Sequence, residues 1–185
     1  MKALQIRRLA LCAVMTAVIL LLTTFVHIPL PIAVGYVHVG DMAICLAAAL
    51  LPAPYAIAAA ALGGALSDLL GGYGYYAIFT AVIKAAMIPA FTARGTKLLG
   101  KRNLLAALLT VAITPLGYLT ADAVVLTLNT PGASLLTAEP WIIAATEAMP
   151  FNAIQGAASF VLFLGAALAL DRLNFKSRLD RRMTR

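Results

Sequence analysis

The chain has 185 residues, of which 63% are hydrophobic and 11% are charged, whereas roughly 25% of the residues of a soluble domain are charged. So few charges cannot cover a soluble globule, and the composition instead predicts an all-α integral membrane protein, a single transmembrane domain over residues 1–185. The net charge of +7 does not indicate nucleic acid, because the basic residues cluster beside apolar runs, as in cytoplasmic loops.

The N-terminal half of the sequence predicts three helices. The first runs from about Ile6 to Val26 and stops at the prolines of the segment 27–31. A polar break at 35–41 leads into a second apolar run that ends at Leu51, and a third helix follows from about Tyr55 to Leu70. The second and third runs are shorter than the usual spanning length, so they are either short tilted helices or re-entrant segments covered by protein.

The C-terminal half predicts three further long helices and a short one. A glycine-rich loop precedes the fourth helix, which extends to about Thr92, and the fifth covers roughly Leu104 to Leu128. The segment from Glu139 to Glu147 contains a tryptophan, which favours an interfacial helix. The sixth helix runs from about Pro150 to Leu170, and a basic tail begins at about residue 172.

The positions of the basic residues predict the topology. With six crossings, both termini and all of the basic clusters lie on the cytoplasmic side, whereas five crossings would divide the clusters. We therefore predict about six transmembrane helices, cytoplasmic termini and a basic cytoplasmic tail. The clusters contain 13 of the 14 basic residues, namely Lys2, Arg7 and Arg8; Arg94, Lys97, Lys101 and Arg102; and Arg172, Lys176, Arg178, Arg181, Arg182 and Arg185.

The remaining basic residue, Lys84, lies within an apolar helix, at a predicted depth of roughly 10 Å from the outer face. A charge in hydrocarbon costs at least about 2.5 to 3.5 kcal/mol on insertion scales, so it needs a partner or a cavity. Lys84 either pairs with Asp122 or snorkels outward, or it lines an outward-open pocket with Asp122, Asn152 and Gln155. The interpretations are compatible, and the shared depth of these polar groups favours the pocket.

Other residues near the outer face have two possible roles. Tyr75 and Tyr76 are either interfacial aromatic residues or stack on an aromatic ligand. Asp68 either accepts hydrogen bonds from loop amides or contacts the ligand. Asp41 is predicted to cap the second helix, and His38 lacks the companions that a metal site needs.

The sequence contains no signature of catalysis, of a P-loop or of zinc hydrolysis, so we expect no catalytic residue, metal or cofactor. Cys12 and Cys45 lie in apolar runs and are interpreted as packing residues. Ala13 and Ala17 form a small-xxx-small pair, which lets another helix approach closely.

Several motifs are distributed along the whole chain. They are Ala13-x-x-x-Ala17, the segment 35–41, the glycine-rich segment from Gly63 to Tyr73, Thr80-Ala-Val-Ile-Lys84, and the segment from Met149 to Gly156. With these motifs and six short helices, the sequence resembles the substrate-binding S components of energy-coupling factor (ECF) vitamin transporters, in the riboflavin-type branch.

The resemblance implies a multi-pass protein of a prokaryotic plasma membrane. Such a protein, surrounded by membrane lipids, captures a water-soluble vitamin from outside and docks on a transmembrane T component driven by two cytoplasmic ATPases. It implies a docking role for Ala13 and Ala17, and it extends the expected pocket to Thr80 and to His38 in the covering loop.

The substrate expected from the polar layer is a compact heteroaromatic molecule, because Lys84 and Asp122 offer both signs of charge. Pyridoxine or hydroxymethylpyrimidine leads, and riboflavin, pantothenate and lipoate remain open. Two other functions are considered. One is a membrane-embedded enzyme that acts on a lipid or prenyl substrate, and the other is a stand-alone carrier.

Overall fold

The computed structural model describes residues 2–29 and 36–184, so part of the predicted stop at 27–31 and the start of the polar break at 35–41 lie outside the described residues. The regular secondary structure of the described residues is helical apart from one short antiparallel hairpin, in which His27 is paired with His38. The elements are α1 (Lys2–Phe25), β1 (His27–Pro29), β2 (Tyr36–His38), α2 (Gly40–Leu50), α3 (Ala53–Gly71), α4 (Ala77–Ala86), α5 (Lys101–Asn129), α6 (Glu139–Glu147), α7 (Met149–Arg172) and α8 (Phe175–Thr184).

Four of the described helices, α1, α3, α5 and α7, are long and apolar enough to cross a membrane. The short apolar helices are α2 and α4, with 11 and 10 residues, which correspond to about 16 and 15 Å. Each therefore falls short of a hydrocarbon core of about 30 Å.

Two predicted lengths are corrected. The third run, predicted to be short, is the 19-residue helix α3, which begins right after Pro52 and contains Pro54 in its first turn, where proline is well tolerated. The fourth helix, predicted to reach Thr92, ends at Ala86. Pro89 has no amide hydrogen for the helix and disfavours helical geometry at the residue before it.

The helix predicted from Glu139 to Glu147 is present as α6. The tail beyond residue 172 is not a simple extension, because it folds into the additional helix α8 after a turn at Asn174, whose φ is +50°. Sequence reasoning missed this helix because it interpreted the tail only as a charged segment.

Close helix packing depends on small residues. Helix α1 packs on α2 and α3, α3 packs on α4, and α5 packs on α7. At Gly156 in α7, an added Cβ would lie 3.0 Å from the main chain of Val111 in α5, so these helices touch backbone to backbone. Cys12 and Cys45 are both buried and unpaired, in agreement with the packing role predicted for them.

The basic clusters meet at one end of the bundle. Arg7, near the start of α1, donates from Nη1 to the carbonyl oxygens of Arg182 (2.8 Å) and Met183 (3.0 Å) at the end of α8. Asp171, at the end of α7, accepts hydrogen bonds from the amides of Leu98 (2.7 Å) and Leu99 (3.0 Å) in the α4–α5 loop. We call this the basic end.

A buried lysine ties two more segments to the same end. Nζ of Lys176, in α8, donates to the carbonyl oxygen of Ala49 (3.0 Å), which lies in the last turn of α2. It also donates to the carbonyl oxygen of Ala93 (2.5 Å), after α4. Carbonyls at helix C-termini lack helical partners, and a cation there also interacts favourably with the helix dipole.

Candidate functional site

A cavity lies at the other end of the bundle, which we call the pocket end. Its volume, with its open mouth included, is about 790 Å³. It is bordered by the C-terminal parts of α1, α3 and α5, by β2, by the N-terminal parts of α2 and α7, and by one face of α4. Eight of the nine predicted substrate-binding residues line it: His38, Asp68, Tyr76, Thr80, Lys84, Asp122, Asn152 and Gln155.

The ninth predicted residue, Tyr75, does not line the cavity. Its side chain is 54% exposed, and its ring lies 4.9 Å from that of Tyr76, centroid to centroid. It therefore supports the position of Tyr76 from outside the cavity wall.

Lys84 makes an ion pair at the bottom of the cavity. Its Nζ lies 2.7 Å from Oδ1 of Asp41, and its side chain is 1% exposed, so it does not snorkel to the surface. The predicted pairing of Lys84 with Asp122 is therefore wrong. The ammonium also lies 5.2 Å from the centroid of the Tyr118 ring, which is a cation–π distance.

Asp41 does not cap α2, contrary to prediction. The N-cap position is occupied by Val39, with no side-chain cap hydrogen bond among the described residues. Asp41 lies one residue inside the helix, in its first turn, where a carboxylate still interacts favourably with the helix dipole. From this position its side chain reaches Lys84 instead of the helix amides.

Gln155 holds the hairpin against the bundle. Its Oε1 accepts from the amide of His38 (2.7 Å), and its Nε2 donates to the carbonyl oxygen of His38 (2.8 Å) and to Oγ of Ser159 (3.0 Å). Both ends of the side-chain amide therefore bond to protein groups. In this structure Gln155 positions β2 beside the cavity.

His38 is buried beside the cavity in its neutral form. Burial lowers the pKa of its imidazole to about 4, and the nearby Asp41 only partly opposes this effect. Its Nδ1 accepts a hydrogen bond from the amide of Gly40 (3.1 Å). In the described part of the chain, no group of three or more His, Cys, Asp or Glu side chains is placed to hold a metal ion.

Two further carboxylates, Asp68 and Asp122, face the cavity. Oδ1 of Asp122 accepts a hydrogen bond of 2.5 Å from Oη of Tyr76. Oδ2 of Asp122 and Oδ2 of Asp68 are buried and have no hydrogen-bond partner among residues 2–29 and 36–184. Asp68 was predicted to accept from loop amides or to contact the ligand, and the amides of Gly72 and Tyr73 donate to its main-chain carbonyl.

Some lining residues were missed by sequence reasoning. The most informative is Tyr118, whose Oη lies 3.0 Å from Oγ1 of Thr80. Because Tyr118 precedes Asp122 by one helical turn, both lie on one face of α5, and this spacing could have revealed it. The aromatic Phe151 is adjacent to the predicted Asn152 but was also missed.

The two alanines predicted as a docking face are on α1. The side chains of Ala13 and Ala17 are exposed along this helix, one turn apart.

Comparison with known proteins identifies the family. The sequence profile described as "ECF-type riboflavin transporter, S component" matches residues 3–172. The chain belongs to this family. It is therefore a membrane protein of a transporter family whose S components bind substrate, and not of an enzyme family. The resemblance predicted from the motifs is confirmed.

This S component is also similar to one curated protein of Pyrococcus woesei, described as an uncharacterized protein in the gap 3' region. The two are 38% identical over 98 residues, which are 52% of this chain and 65% of that protein.

Proposed function

We propose that this S component captures a water-soluble vitamin or vitamin precursor from outside the cell. It then delivers this molecule by docking on a T component that is driven by two cytoplasmic ATPases. The observation that carries the proposal is the cavity at the pocket end, where polar side chains from several helices converge among aromatic rings, as they do in small-molecule sites.

The orientation follows from the separation of the two ends. Basic loops remain cytoplasmic, so the basic end faces the cytoplasm and the cavity opens outward, in a prokaryotic plasma membrane. Although α2 and α4 are short, each begins at the cavity. The last turn of α2 reaches Lys176 through Ala49, and the segment after α4 reaches it through Ala93. We therefore propose six crossings, with both termini cytoplasmic.

The lining of the cavity indicates a planar polar substrate. The rings of Tyr76, Tyr118 and Phe151 offer apolar faces to a ligand. Thr80 and Asn152 offer it hydrogen-bonding groups. Pyridoxine and hydroxymethylpyrimidine each contain a planar heteroaromatic ring that could stack there. So does riboflavin, which is the vitamin named in the family description. Pantothenate and lipoate have no aromatic ring to stack.

The proposed docking face is the exposed stripe at Ala13 and Ala17. Leucines at both positions are expected to abolish vitamin uptake in cells that contain the T component and ATPases, because the partner helix could no longer approach. Substrate affinity of the isolated chain should remain unchanged, because the stripe does not border the cavity. Ala169→Leu, at an exposed alanine of α7, is the matched control.

Two results would contradict these assignments. If the double leucine variant lost substrate affinity as strongly as uptake, the alanines would not be a separate docking face. The topology is tested by single cysteines at Lys97 and Arg181, labelled from either side in intact cells. Labelling of the two positions from opposite sides would overturn the six-crossing arrangement.

A further inference from the structure

The cavity contains more carboxylates than cations. Asp68 and Asp122 line it together with one lysine, Lys84, whose ammonium is paired with Asp41 at 2.7 Å. That pair balances its own charge. Asp68 and Asp122 make no salt bridge with a described residue of the cavity wall.

These two carboxylates are also incompletely bonded. Asp68 and Asp122 are 7% and 8% exposed, and each has a buried Oδ2 with no hydrogen bond in the described part of the chain. Buried polar groups are nearly always hydrogen-bonded, and an unsatisfied charged group is the costliest exception. Both acceptors line one cavity, from different helices, so a donor in that cavity would satisfy them.

We infer that the substrate is a planar heteroaromatic molecule with an amino or ammonium group, whose N–H donors bond to Asp68 and Asp122. The inference rests on the proposed function and names the chemistry of its substrate. A carboxylate ligand would bring only further acceptors to these two acceptors, so anionic vitamins are disfavoured. A positively charged ring or substituent would also gain from the faces of Tyr76 and Tyr118.

The inference separates the two leading candidates. Hydroxymethylpyrimidine carries an amino group on its ring, whereas pyridoxine carries hydroxyl groups only. Lys84 then contributes mainly by holding Asp41, and it is not the group that selects the ligand. This differs from the role first expected from its position in the sequence.

A matched pair of probes tests the inference. Pyridoxamine and pyridoxine share one ring and differ in one substituent, an aminomethyl against a hydroxymethyl group. Calorimetry on the purified full-length chain should show pyridoxamine binding about ten- to a hundredfold more tightly, the range for hydrogen bonds to charged groups. Equal affinities, or tighter binding of pyridoxine, would overturn the inference.

Variants test whether Asp68 and Asp122 cause the preference for pyridoxamine over pyridoxine. Asp122→Asn and Asp68→Asn keep the shape and remove the charge, and each should reduce the preference for pyridoxamine about tenfold. Glu139→Gln, at an exposed position outside the cavity, should leave the preference unchanged. Size-exclusion profiles establish that each variant is folded, and a preference that survives in both folded aspartate variants would contradict the assignment.

Native mass spectrometry of the purified chain distinguishes this inference from the proposed function. A copurified small molecule with an amino group supports both, including the case in which neither pyridoxine nor pyridoxamine binds. A copurified vitamin without an amino group, such as riboflavin, overturns the inference and leaves the substrate-capture function standing. If no small molecule copurifies and neither these probes nor hydroxymethylpyrimidine and riboflavin bind, both proposals fail.

Discussion

The two ends of the bundle treat buried polar groups differently. At the basic end, Lys176 donates to two carbonyl oxygens, and Asp171 accepts from two amides. Asn103 is likewise bonded through both ends of its amide, to Thr92 and Leu98. At the pocket end, Asp68 and Asp122 each keep an oxygen without a hydrogen bond in the described part of the chain.

This difference distinguishes structural polarity from polarity available for binding. A polar group that stabilises the fold is bonded within the protein, because an unmet donor or acceptor in a low-dielectric interior is costly. A group reserved for a ligand keeps its bonding capacity free until the ligand arrives. By this criterion Lys176 is structural, although it is as fully buried as Lys84.

The largest expected effect is at the Lys84–Asp41 pair. Lys84→Met removes the counterion of a buried carboxylate and should destabilise the protein by about 3 to 5 kcal/mol, the usual cost of breaking a buried ion pair from one side. Thermal unfolding in detergent measures it. Lys97→Met, at an exposed position of the basic end, should have little effect.

A second substitution identifies the cause of that loss. Adding Asp41→Asn to Lys84→Met removes the stranded charge and should recover most of the stability, since neutral replacements of both partners are often tolerated. If the double variant is no more stable than the single one, the loss comes from packing of the lysine stem and not from the pair.

Much of the architecture could be predicted from the sequence, for physical reasons. A membrane requires long apolar helices and places basic residues in cytoplasmic loops. The apolar runs and basic clusters of the sequence therefore indicated a membrane protein, the positions of most helices and the end of the bundle where the basic residues lie. The end of α4 was overestimated, although Pro89 was visible in the sequence. The helix α8 was missed because a charged tail has no apolar run, and its fold depends on Lys176 and Arg7 reaching distant carbonyls.

Eight of the sixteen cavity residues could also be predicted, but their partners could not. Depth along a helix follows from counting residues, and this placed Lys84 and Asp122 in one layer. Which carboxylate meets Lys84 depends on how α2 packs beside α4, and no local pattern records that contact. Asp41 was therefore assigned to the nearest helix end, and Asp122 to the nearest cation.

The next largest effect is a pH dependence of the protein's stability, caused by His38 at the pocket end. The pKa of His38 is lowered from 6.5 to about 4, so as pH falls the unfolded chain binds a proton before the folded one does. The contribution of neutral His38 to the free energy of unfolding is fully present above pH 6.5. It should fall by about 3 kcal/mol between pH 6.5 and 4. Protonation would also break the bond from the Gly40 amide to Nδ1.

Unfolding midpoints measured across this range test the assignment to His38. His38→Gln should remove most of the slope, whereas His27→Gln, at an exposed histidine, should retain it. A wild-type midpoint that stays constant from pH 6.5 to 4 would show that the imidazole is not buried in its neutral form.

A smaller effect is expected at the basic end, from Lys176→Met. The substitution leaves the carbonyls of Ala49 and Ala93 without their charged donor, at an expected cost of about 1.5 to 3 kcal/mol. Ligand affinity should not change, because Lys176 does not line the cavity. Arg178→Met, on the exposed face of α8, is the control, and a loss of affinity in Lys176→Met would contradict the structural role.

The smallest effect compares two glycines of α7, one in each half of the bundle. Gly156→Ala places a methyl group 3.0 Å from the backbone of Val111, so α5 and α7 must separate, at a cost of about 1 to 3 kcal/mol. At Gly165 an added Cβ meets nothing within 4 Å, so Gly165→Ala should instead stabilise the helix by about 0.5 to 1 kcal/mol. Because Gly156 is adjacent to Gln155, its variant should also weaken ligand binding, whereas the Gly165 variant should not. Unfolding midpoints and calorimetry on both variants measure these differences, and equal stabilities would show that α5 and α7 do not depend on a glycine where they meet.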